Sequence, residues 1–210
     1  MTVIKHTEQR VGVFIDTQNL YHSGKNLYNS KVNFGQIVKD AVAGRALIRA
    51  VAYVISTEAG DEKSFFDALT KVGIETKTKD LQIFAGGSKK ADWDVGLAVD
   101  AIKMAPKLDA VVLVTGDGDF VPLVQYLQTN NGCQVEVVSF GKSTSAKLIA
   151  SADDFIDLDS NPKKYLMFVQ QKNSNRRGGG RGRSQNPNSA PKGAPSPTNP
   201  VSENPTNITN

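Results

Sequence analysis

Aspartates follow two apolar segments of the chain at the point where each segment ends. Asp16 comes directly after residues 11–15, and Asp117 comes shortly after residues 110–114. Apolar segments of this length are typical of buried strands. Asp16 could simply cap the next helix, and Asn19 follows it three positions later. If both strands belong to one sheet, the two carboxylates would form part of an acidic cluster.

The second aspartate lies in a glycine-rich turn. Gly116 and Gly118 flank Asp117 and allow a tight turn and the close approach of a ligand. Asp119 comes just before a predicted helix over residues 120–129, where it would be an N-cap. Because a cap can also face a metal ion, both roles stay open for Asp119.

A third carboxylate is predicted on a helix over residues 92–105. At about 100° per residue, most of its apolar residues form one broad face, and Asp94 falls inside that face. A carboxylate buried there is costly unless it is paired, hydrogen-bonded or bound to a metal, although the first turn of a helix favours an anion. Asp100 falls on the other side and is expected to be solvated. The predicted apolar face contains Val95, Leu97, Ala98, Val99, Ala101, Ile102, Met104 and Ala105.

Three such carboxylates in one place would need a cation. Bare carboxylates ~4 Å apart repel each other by about 4 kcal/mol per pair at an effective dielectric constant of about 20. The chain has 1 cysteine and 2 histidines, which excludes a cysteine-based zinc cluster. Oxygen ligands alone favour Mg²⁺ or Mn²⁺. The pattern therefore indicates metal-dependent phosphoryl chemistry, in which the cation activates water and neutralises charge on the scissile phosphate.

The elements that must position these side chains alternate between strands and helices. Continuously apolar strands such as residues 111–114 indicate burial on both faces, which is typical of a parallel sheet covered by helices. Asn33 and Gln36 have the spacing of a capping box at the start of a helix. We therefore predict an α/β fold, a three-layer α/β/α sandwich around a mainly parallel sheet, with its site beyond the carboxyl ends of the strands. Strands are predicted at residues 11–15, 46–55, 74–84, 110–114, 134–140 and 155–158, and helices at 33–42, 61–72, 92–105, 120–129 and 144–150.

Charge and composition divide the chain. Residues 1–160 carry a net charge of −3, whereas residues 161–210 carry eight Lys or Arg and one acid. The end of the chain has an Arg/Gly tract followed by a Pro/Ser/Asn-rich segment, a composition that favours disorder. The predicted organisation is an N-terminal arm (1–9), a domain (10–160), an extension that packs on or leads from it (161–172) and a disordered tail (173–210).

Membrane and secretion signals are absent from the sequence. The first ten residues are polar and charged, unlike a secretory signal, and no apolar run approaches the ~20 residues of a membrane span. We expect a cytoplasmic protein with no membrane partner.

Three motifs, in this order, resemble those of the NYN domain. They are Phe14-Ile-Asp-Thr-Gln-Asn19, Lys90-Ala-Asp-Trp-Asp-Val-Gly-Leu-Ala-Val-Asp100 and Thr115-Gly-Asp-Gly-Asp-Phe-Val-Pro-Leu123. The similarity is to the LabA-like branch of this family, within the PIN-like nuclease superfamily, and spans roughly residues 10–158. It implies an α/β/α sandwich with an acidic pocket for Mg²⁺ or Mn²⁺, and ribonuclease activity in many members. Matched to the motifs, the site residues are Asp16, Asn19, Asp94, Asp100, Asp117 and Asp119.

The sequence departs from the family pattern at two places. Thr115 replaces the usual serine and keeps its hydroxyl, and Asp92-Trp93 stands where Gly-Val is common. Asp92 could therefore be confused with Asp94 as the matching acid. Trp93 beside the pocket could stack on a base or simply pack against the sheet.

The leading hypothesis is a metal-dependent ribonuclease acting on single-stranded RNA. Asp16, Asp94 and Asp117 would hold one or two Mg²⁺, and Asp119 would complete the ligand set or orient the water. Asn19 would bind the phosphate or a water ligand. Lys89 and Lys90 would contact the RNA backbone, or be a solvated charge pair. The tail would add salt-sensitive RNA affinity through Arg176, Arg177, Arg181 and Arg183.

Two other functions remain open at this stage. A PIN-like fold could bind RNA or protein without cutting it, and LabA-like proteins are also associated with regulatory roles. A phosphatase of the haloacid-dehalogenase type needs Asp-x-Asp after the first strand, but Gln18 occupies the second position. A homodimer is also compatible with the exposed edges of an open sheet.

Overall fold

The computed structural model describes residues 3–56, 63–80, 82–83, 89–90 and 93–167. The strands are β1 (Arg10–Asp16), β2 (Lys31–Val32), β3 (Ala46–Ser56), β4 (Glu75–Asp80), β5 (Gln82–Ile83), β6 (Lys89–Lys90), β7 (Ala110–Val114), β8 (Gln134–Ser139), β9 (Asp154–Asp157) and β10 (Leu166–Met167). The helices are α1 (Thr17–Tyr28), α2 (Phe34–Val42), α3 (Lys63–Lys71), α4 (Asp94–Met104), α5 (Val121–Asn131), α6 (Ala146–Ser151) and α7 (Pro162–Tyr165).

Six parallel strands form the central sheet in the order β4-β3-β1-β7-β8-β9. Every residue of β7 is buried, as its continuously apolar sequence predicts. Two short antiparallel pairs, β2 with β10 and β5 with β6, lie outside this sheet. The predicted α/β class with a mainly parallel sheet is confirmed.

Each face of the sheet has its own hydrophobic core, because successive strand residues point to opposite faces. Val13 and Ile15 of β1 belong to the core that includes Leu20 of α1, Ile37 of α2 and Leu69 of α3. Phe14 belongs to the other core, with Leu97 of α4, Leu127 of α5 and Leu148 of α6. The result is the predicted three-layer sandwich.

The sheet changes direction between β1 and β7. From β1 the chain builds outward through β3 and β4, and then returns to build β7, β8 and β9 on the other side. At such a switch point the connections leave in opposite directions and open a crevice at the carboxyl ends of the strands. Ile15 pairs with Val114, so the residues that follow β1 and β7 meet at this crevice.

The first helix of the structure, α1, was not predicted from the sequence. α1 runs from Thr17 to Tyr28, and its buried residues include only one large aliphatic side chain, Leu20, with Ser23 and Gly24. A helix that packs through small and polar residues lacks the apolar periodicity on which the prediction depends. α2, in contrast, begins where predicted, and its cap Asn33 accepts a hydrogen bond from the backbone N–H of Gln36.

The buried face of α4 is narrower than predicted. Leu97 and Ala101 are buried, whereas Val95 is 73% exposed, and Val99 and Ile102 are also exposed. A helix on a sheet buries only the stripe that contacts it, and a wide apolar arc does not indicate which part makes that contact. The predicted burial of the whole face is therefore wrong.

The segment after β9 packs on the domain through α7 and β10. Tyr165 and Leu166 are buried, and β10 pairs with β2. The predicted disorder of residues 173–210, and the start of the second predicted helix at residue 61, lie outside the described residues. Within the described part of the chain, no helix combines the length and apolar character needed to cross a bilayer.

Candidate functional site

Asp16 ends β1 and caps α1. Its Oδ1 accepts a hydrogen bond from the backbone N–H of Asn19 at 3.0 Å, as expected for an N-cap. Its Oδ2 accepts one from Oγ1 of Thr115 at 3.1 Å. Both carboxylate oxygens are therefore held in fixed directions by neighbouring elements.

Thr115 links the two strand ends. It is fully buried directly after β7, and the same hydroxyl that donates to Asp16 accepts from the backbone N–H of Asp117 at 3.2 Å. The hydroxyl kept at this position is thus used twice. It fixes the carboxylate after β1 relative to the backbone after β7.

Asn19 makes a second link between the same loops. Its Oδ1 accepts from the backbone N–H of Gly116 at 2.9 Å. Gly116 is closely surrounded, because a β-carbon there would lie 2.9 Å from Oγ of Ser139 and 3.1 Å from Oγ1 of Thr144. The turn after β7 therefore depends on glycine for its close approach to the neighbouring chain.

A cavity of about 390 Å³ lies over these strand ends. Asp16, Asp94 and Asp117 line it together, from β1, α4 and the turn after β7. Polar side chains of α1 add hydrogen-bonding groups to its wall, and Tyr53 and Trp93 add aromatic surface; the α1 residues include Asn19, His22, Ser23 and Asn26.

Burial raises the pKa of Asp16. The hydrogen bonds from Asn19 and Thr115 oppose this shift, and the nearby charge of Asp117 adds to it. An ionised Asp16 is thus held at an unfavourable place beside a second carboxylate. A cation bound between them would relieve both the burial and the repulsion.

Comparison with known proteins agrees with the geometry at the strand ends. The family model of the NYN domain matches residues 10–159. The chain belongs to the NYN domain family. It is 27% identical over 159 residues to the "Low amplitude and bright protein LabA" of Synechococcus elongatus, covering 71% of this chain and 84% of LabA. The match supports the predicted LabA-like branch.

A solved structure agrees with the fold of this NYN domain. A protein of unknown function from Vibrio parahaemolyticus is 33% identical, with a TM-score of 0.70. The match covers 79% of this chain and 100% of that one.

The carboxylates of the NYN motifs differ in their surroundings. Asp94 is the first residue of α4, half-buried at the cavity. Asp119 is exposed, and its backbone N–H donates to Oδ1 of Asp117 at 2.9 Å. The cap of this turn is therefore Asp117, and the expected N-cap role of Asp119 is wrong.

Asp100 takes part in a different set of contacts. Tyr53 OH donates to its Oδ2 at 2.8 Å, and the ammonium group of Lys77 pairs with the same oxygen. Burial by itself would raise the pKa of Asp100, but the hydrogen bonds from Lys77 and Tyr53 lower it overall. The expected solvated position is wrong, because the hydroxyl and the lysine draw this half-buried carboxylate toward the sheet. Asp100 is not among the residues that line the cavity.

The predicted cationic contacts are described only in part. The backbone of Lys89 and Lys90 forms β6, paired with β5, and their side chains lie outside the described residues. Asp92 and the four arginines of the Arg/Gly tract, Arg176, Arg177, Arg181 and Arg183, also lie outside them.

The carboxylate oxygens at the cavity are the ligand type that a hard cation prefers. The distances between the side chains fit such a cation less well. Among the described residues, no three or more carboxylate, histidine or cysteine side chains are close enough together to hold a metal ion. Mg²⁺, however, commonly binds through one or two carboxylates and keeps several waters. Asp16 and Asp117 fit that pattern.

Tyr53 and Ser143 are among the cavity residues that the sequence did not predict. Tyr53 lies in the middle of an apolar strand and has the pattern of a core residue, and Ser143 follows β8. The run of hydroxyl residues at 143–145, three positions after the end of a predicted strand, was the available signal for Ser143. No local signal marks Tyr53.

Proposed function

We propose that this NYN domain protein is a metal-dependent nuclease that hydrolyses phosphodiester bonds of single-stranded RNA. The observation that carries the proposal is the convergence of Asp16, Asp94 and Asp117 on one cavity at the switch point of the sheet. Family membership supports a nuclease role in general. The substrate, the cation and the individual roles are inferred from the residues.

Asp16 and Asp117 would hold Mg²⁺ or Mn²⁺. Thr115 aims one oxygen of Asp16 and fixes the backbone of Asp117, so the two carboxylates are oriented before a cation arrives. A cation bound there would lower the pKa of a water ligand and neutralise charge on the scissile phosphate. Asp94 would be a further ligand or would accept the proton of the attacking water, and exposed Asp119 would orient that water.

Asn19 would bind the phosphate. Its side-chain oxygen already accepts from Gly116 N–H. An asparagine side chain also has an NH₂ group with two donors, and this group would donate to a phosphate oxygen. The same residue therefore holds the turn and binds the substrate.

The cationic residues would compensate for the charge of the domain. Residues 1–160 carry a net charge of −3, which repels a polyanion. Lys89 and Lys90 would contact the RNA backbone close to α4, and the arginines of the Arg/Gly tract would add affinity that does not depend on base sequence.

A non-catalytic RNA- or protein-binding regulator is the second candidate. The observation that favours it is the lack, among the described residues, of three side chains close enough to hold a metal ion. In that case the cavity would bind a strand or a partner through Asp16, Asn19 and Asp117 without cutting.

Removing two carboxylates tests the proposal. The full chain with Asp16→Asn and Asp117→Asn should lose Mn²⁺-dependent cleavage of end-labelled single-stranded RNA by about 100-fold or more. Because asparagine keeps the capping oxygen, the far-UV circular dichroism spectrum should stay unchanged. Each assay is repeated with a chelator.

The matched control removes the same charge elsewhere. Glu8→Gln with Asp67→Asn changes two exposed acids that do not line the cavity, and cleavage should stay at the wild-type rate. Equal cleavage by the Asp16/Asp117 variant and this control would contradict the site. RNA binding without cleavage by the wild-type chain in Mn²⁺ would favour the regulator.

A further inference from the structure

Trp93 lies on the wall of the acidic cavity. It immediately precedes Asp94 at the start of α4, and its side chain is half-buried and lines the same cavity as Asp16 and Asp117. The sequence left two roles for this residue, packing on the sheet or stacking on a base. The ring both contacts its neighbours and lines the cavity.

Three contacts fix the indole in place. Its Nε1–H donates to the backbone carbonyl of Val54 at 3.1 Å. The ring of Tyr53 meets it edge-on, with 5.5 Å between centroids and 61° between planes. A β-carbon at Gly96 would lie only 2.4 Å from Cε3 of Trp93, so the first turn of α4 leaves room for the ring only because residue 96 is glycine. A ring held in this way loses little further freedom when a ligand stacks on it.

The surroundings of the ring suit a nucleotide. The ammonium group of Lys79 lies 5.9 Å from the ring centroid, which places a positive charge beside the ring. His22 and Asn26 on α1 also line the cavity and offer donors and acceptors for a base edge. A volume of about 390 Å³ is at the small end of ligand pockets, which suits one base rather than a duplex.

We propose that Trp93 is a stacking platform for one unpaired base of the bound strand, and that this contact selects single-stranded nucleic acid over duplex. A base inside a duplex is already stacked and paired, and unstacking it has a cost that an unpaired base avoids. A base–aromatic stack contributes about 1–3 kcal/mol, which corresponds to about 5- to 140-fold in affinity. Cleavage of the bound strand rests on the proposed function, whereas stacking of its base on Trp93 needs no cleavage.

The intrinsic fluorescence of the protein tests this directly, because Trp93 is its 1 tryptophan. The full chain carrying Asp16→Asn is titrated with a single-stranded RNA oligonucleotide, the same strand in a duplex, and a single-stranded DNA of the same sequence. Stacking should quench the fluorescence with the single strands and leave it unchanged with the duplex. Anisotropy of a labelled oligonucleotide follows total binding in parallel.

Substitutions provide the second arm. Binding through the tail is measured with the duplex and subtracted. Trp93→Leu should then weaken single-strand binding by about 5- to 140-fold. Trp93→Phe keeps an aromatic face and should retain most of the single-strand affinity. Tyr126→Leu is the matched control, because Tyr126 is exposed on α5 and does not line the cavity. Its affinity should equal that of the parent chain.

The outcomes separate this proposal from the nuclease itself. Cleavage by the wild-type chain, or single-strand binding by anisotropy in excess of duplex binding, without any change in tryptophan fluorescence would overturn the stacking role and leave the nuclease in place. Saturable quenching of the Asp16→Asn chain by single strands, together with no cleavage by the wild-type chain in Mn²⁺, would support stacking and count against the nuclease. Equal quenching by duplex and single strand would overturn the selectivity.

Discussion

The ionised side chain of Asp16 suits cation binding but destabilises the fold. It ends a buried strand, receives two hydrogen bonds, and still has a raised pKa because burial outweighs them. The charge that would bind a cation is therefore a charge that the folded protein holds at a cost. Such conflicts between function and stability are concentrated at binding and catalytic sites.

Asp16→Asn should stabilise the cation-free protein at neutral pH. Because the folded pKa lies above the ordinary value of 3.8, the folded state holds this proton more tightly than the unfolded chain. Stability is therefore lost as pH rises from 3.8 through the folded pKa. Asparagine has no such ionisation, so thermal unfolding with a chelator should show a higher melting temperature for the variant than for the wild-type chain at neutral pH.

The pH dependence provides the control for that prediction. Well below pH 3.8 Asp16 is protonated in both states, so the advantage of the variant should disappear. A lower melting temperature of the variant at neutral pH, or the same change in melting temperature at both pH values, would show that the buried charge of Asp16 does not destabilise the fold.

Thr115 is expected to act as a positioning residue. Thr115→Val removes the hydroxyl that donates to Asp16 and accepts from Asp117 N–H, and it leaves a buried donor and acceptor unpaired at a cost of about 1–3 kcal/mol. The turnover number should fall about 10- to 100-fold with little change in KM, and Thr115→Ser should restore it. Failure of serine to restore turnover would contradict the role of the hydroxyl.

Among the helices and strands, those that are buried along their whole length, or whose capping residue lies next to the helix it caps, could be predicted from the sequence. β7 is apolar at every position and lies in the middle of the sheet. Asn33 caps α2, because its Oδ1 accepts a hydrogen bond from the backbone N–H of Gln36, three residues later. α1 could not be recognised in the same way, because it packs through small and polar side chains.

The position of the site was also predictable only in part. A parallel sheet predicts that Asp16, at the end of β1, and Asp117, after β7, lie at the same edge of the sheet. It does not predict that these two strands pair directly, as they do in the structure. The place of Asp100 depends on Tyr53 and Lys77, which reach it from β3 and β4. Contacts between side chains so distant in sequence depend on strand order, which local patterns do not specify.

A buried ion pair ties α2 to the second half of the sheet. Arg45 follows α2, donates to the carbonyls of Ala41 and Val42, and pairs with Glu136 on β8, with both charged side chains fully buried. Lys5 reaches the same carboxylate at 2.8 Å. This network lies where β8 begins, away from the carboxyl ends that form the cavity.

Arg45→Met should destabilise the fold without changing the site. It leaves Glu136 buried with Lys5 and Gln134 as its remaining partners among the described residues, and breaking a buried pair costs about 3–5 kcal/mol. Chemical denaturation should show this loss, and Arg45→Met with Glu136→Met should recover most of it. Unchanged stability of the single variant would contradict the role assigned to the pair.

At the scale of the whole molecule, the charge of the domain and that of the tail have opposite signs. The chain has a net charge of +4, although residues 1–160 carry −3. An acidic cavity on an acidic domain binds cations readily and repels a free polyanion. In the proposed nuclease the tail supplies the attraction and the cavity supplies the chemistry.

Replacing Arg176, Arg177, Arg181 and Arg183 with glutamine in the full chain should weaken RNA binding at low salt. Each phosphate contact on a single strand contributes about 0.7 to the slope of log K against log salt, so the slope should fall by about 3. Binding isotherms over a range of salt concentrations measure it, with Lys192→Gln as a single-charge control. An unchanged slope would show that these arginines do not contact the phosphates.

In the proposed nuclease, the carboxylates at the ends of β1 and β7 bind one divalent cation. Crystals of the full chain soaked in Mn²⁺ and measured for anomalous scattering test it most directly. We expect a strong anomalous peak within ligand distance of Asp16 and Asp117, which is lost in crystals of the Asp16→Asn, Asp117→Asn variant. A map with no peak between these two side chains, from crystals soaked to saturation, would contradict the account.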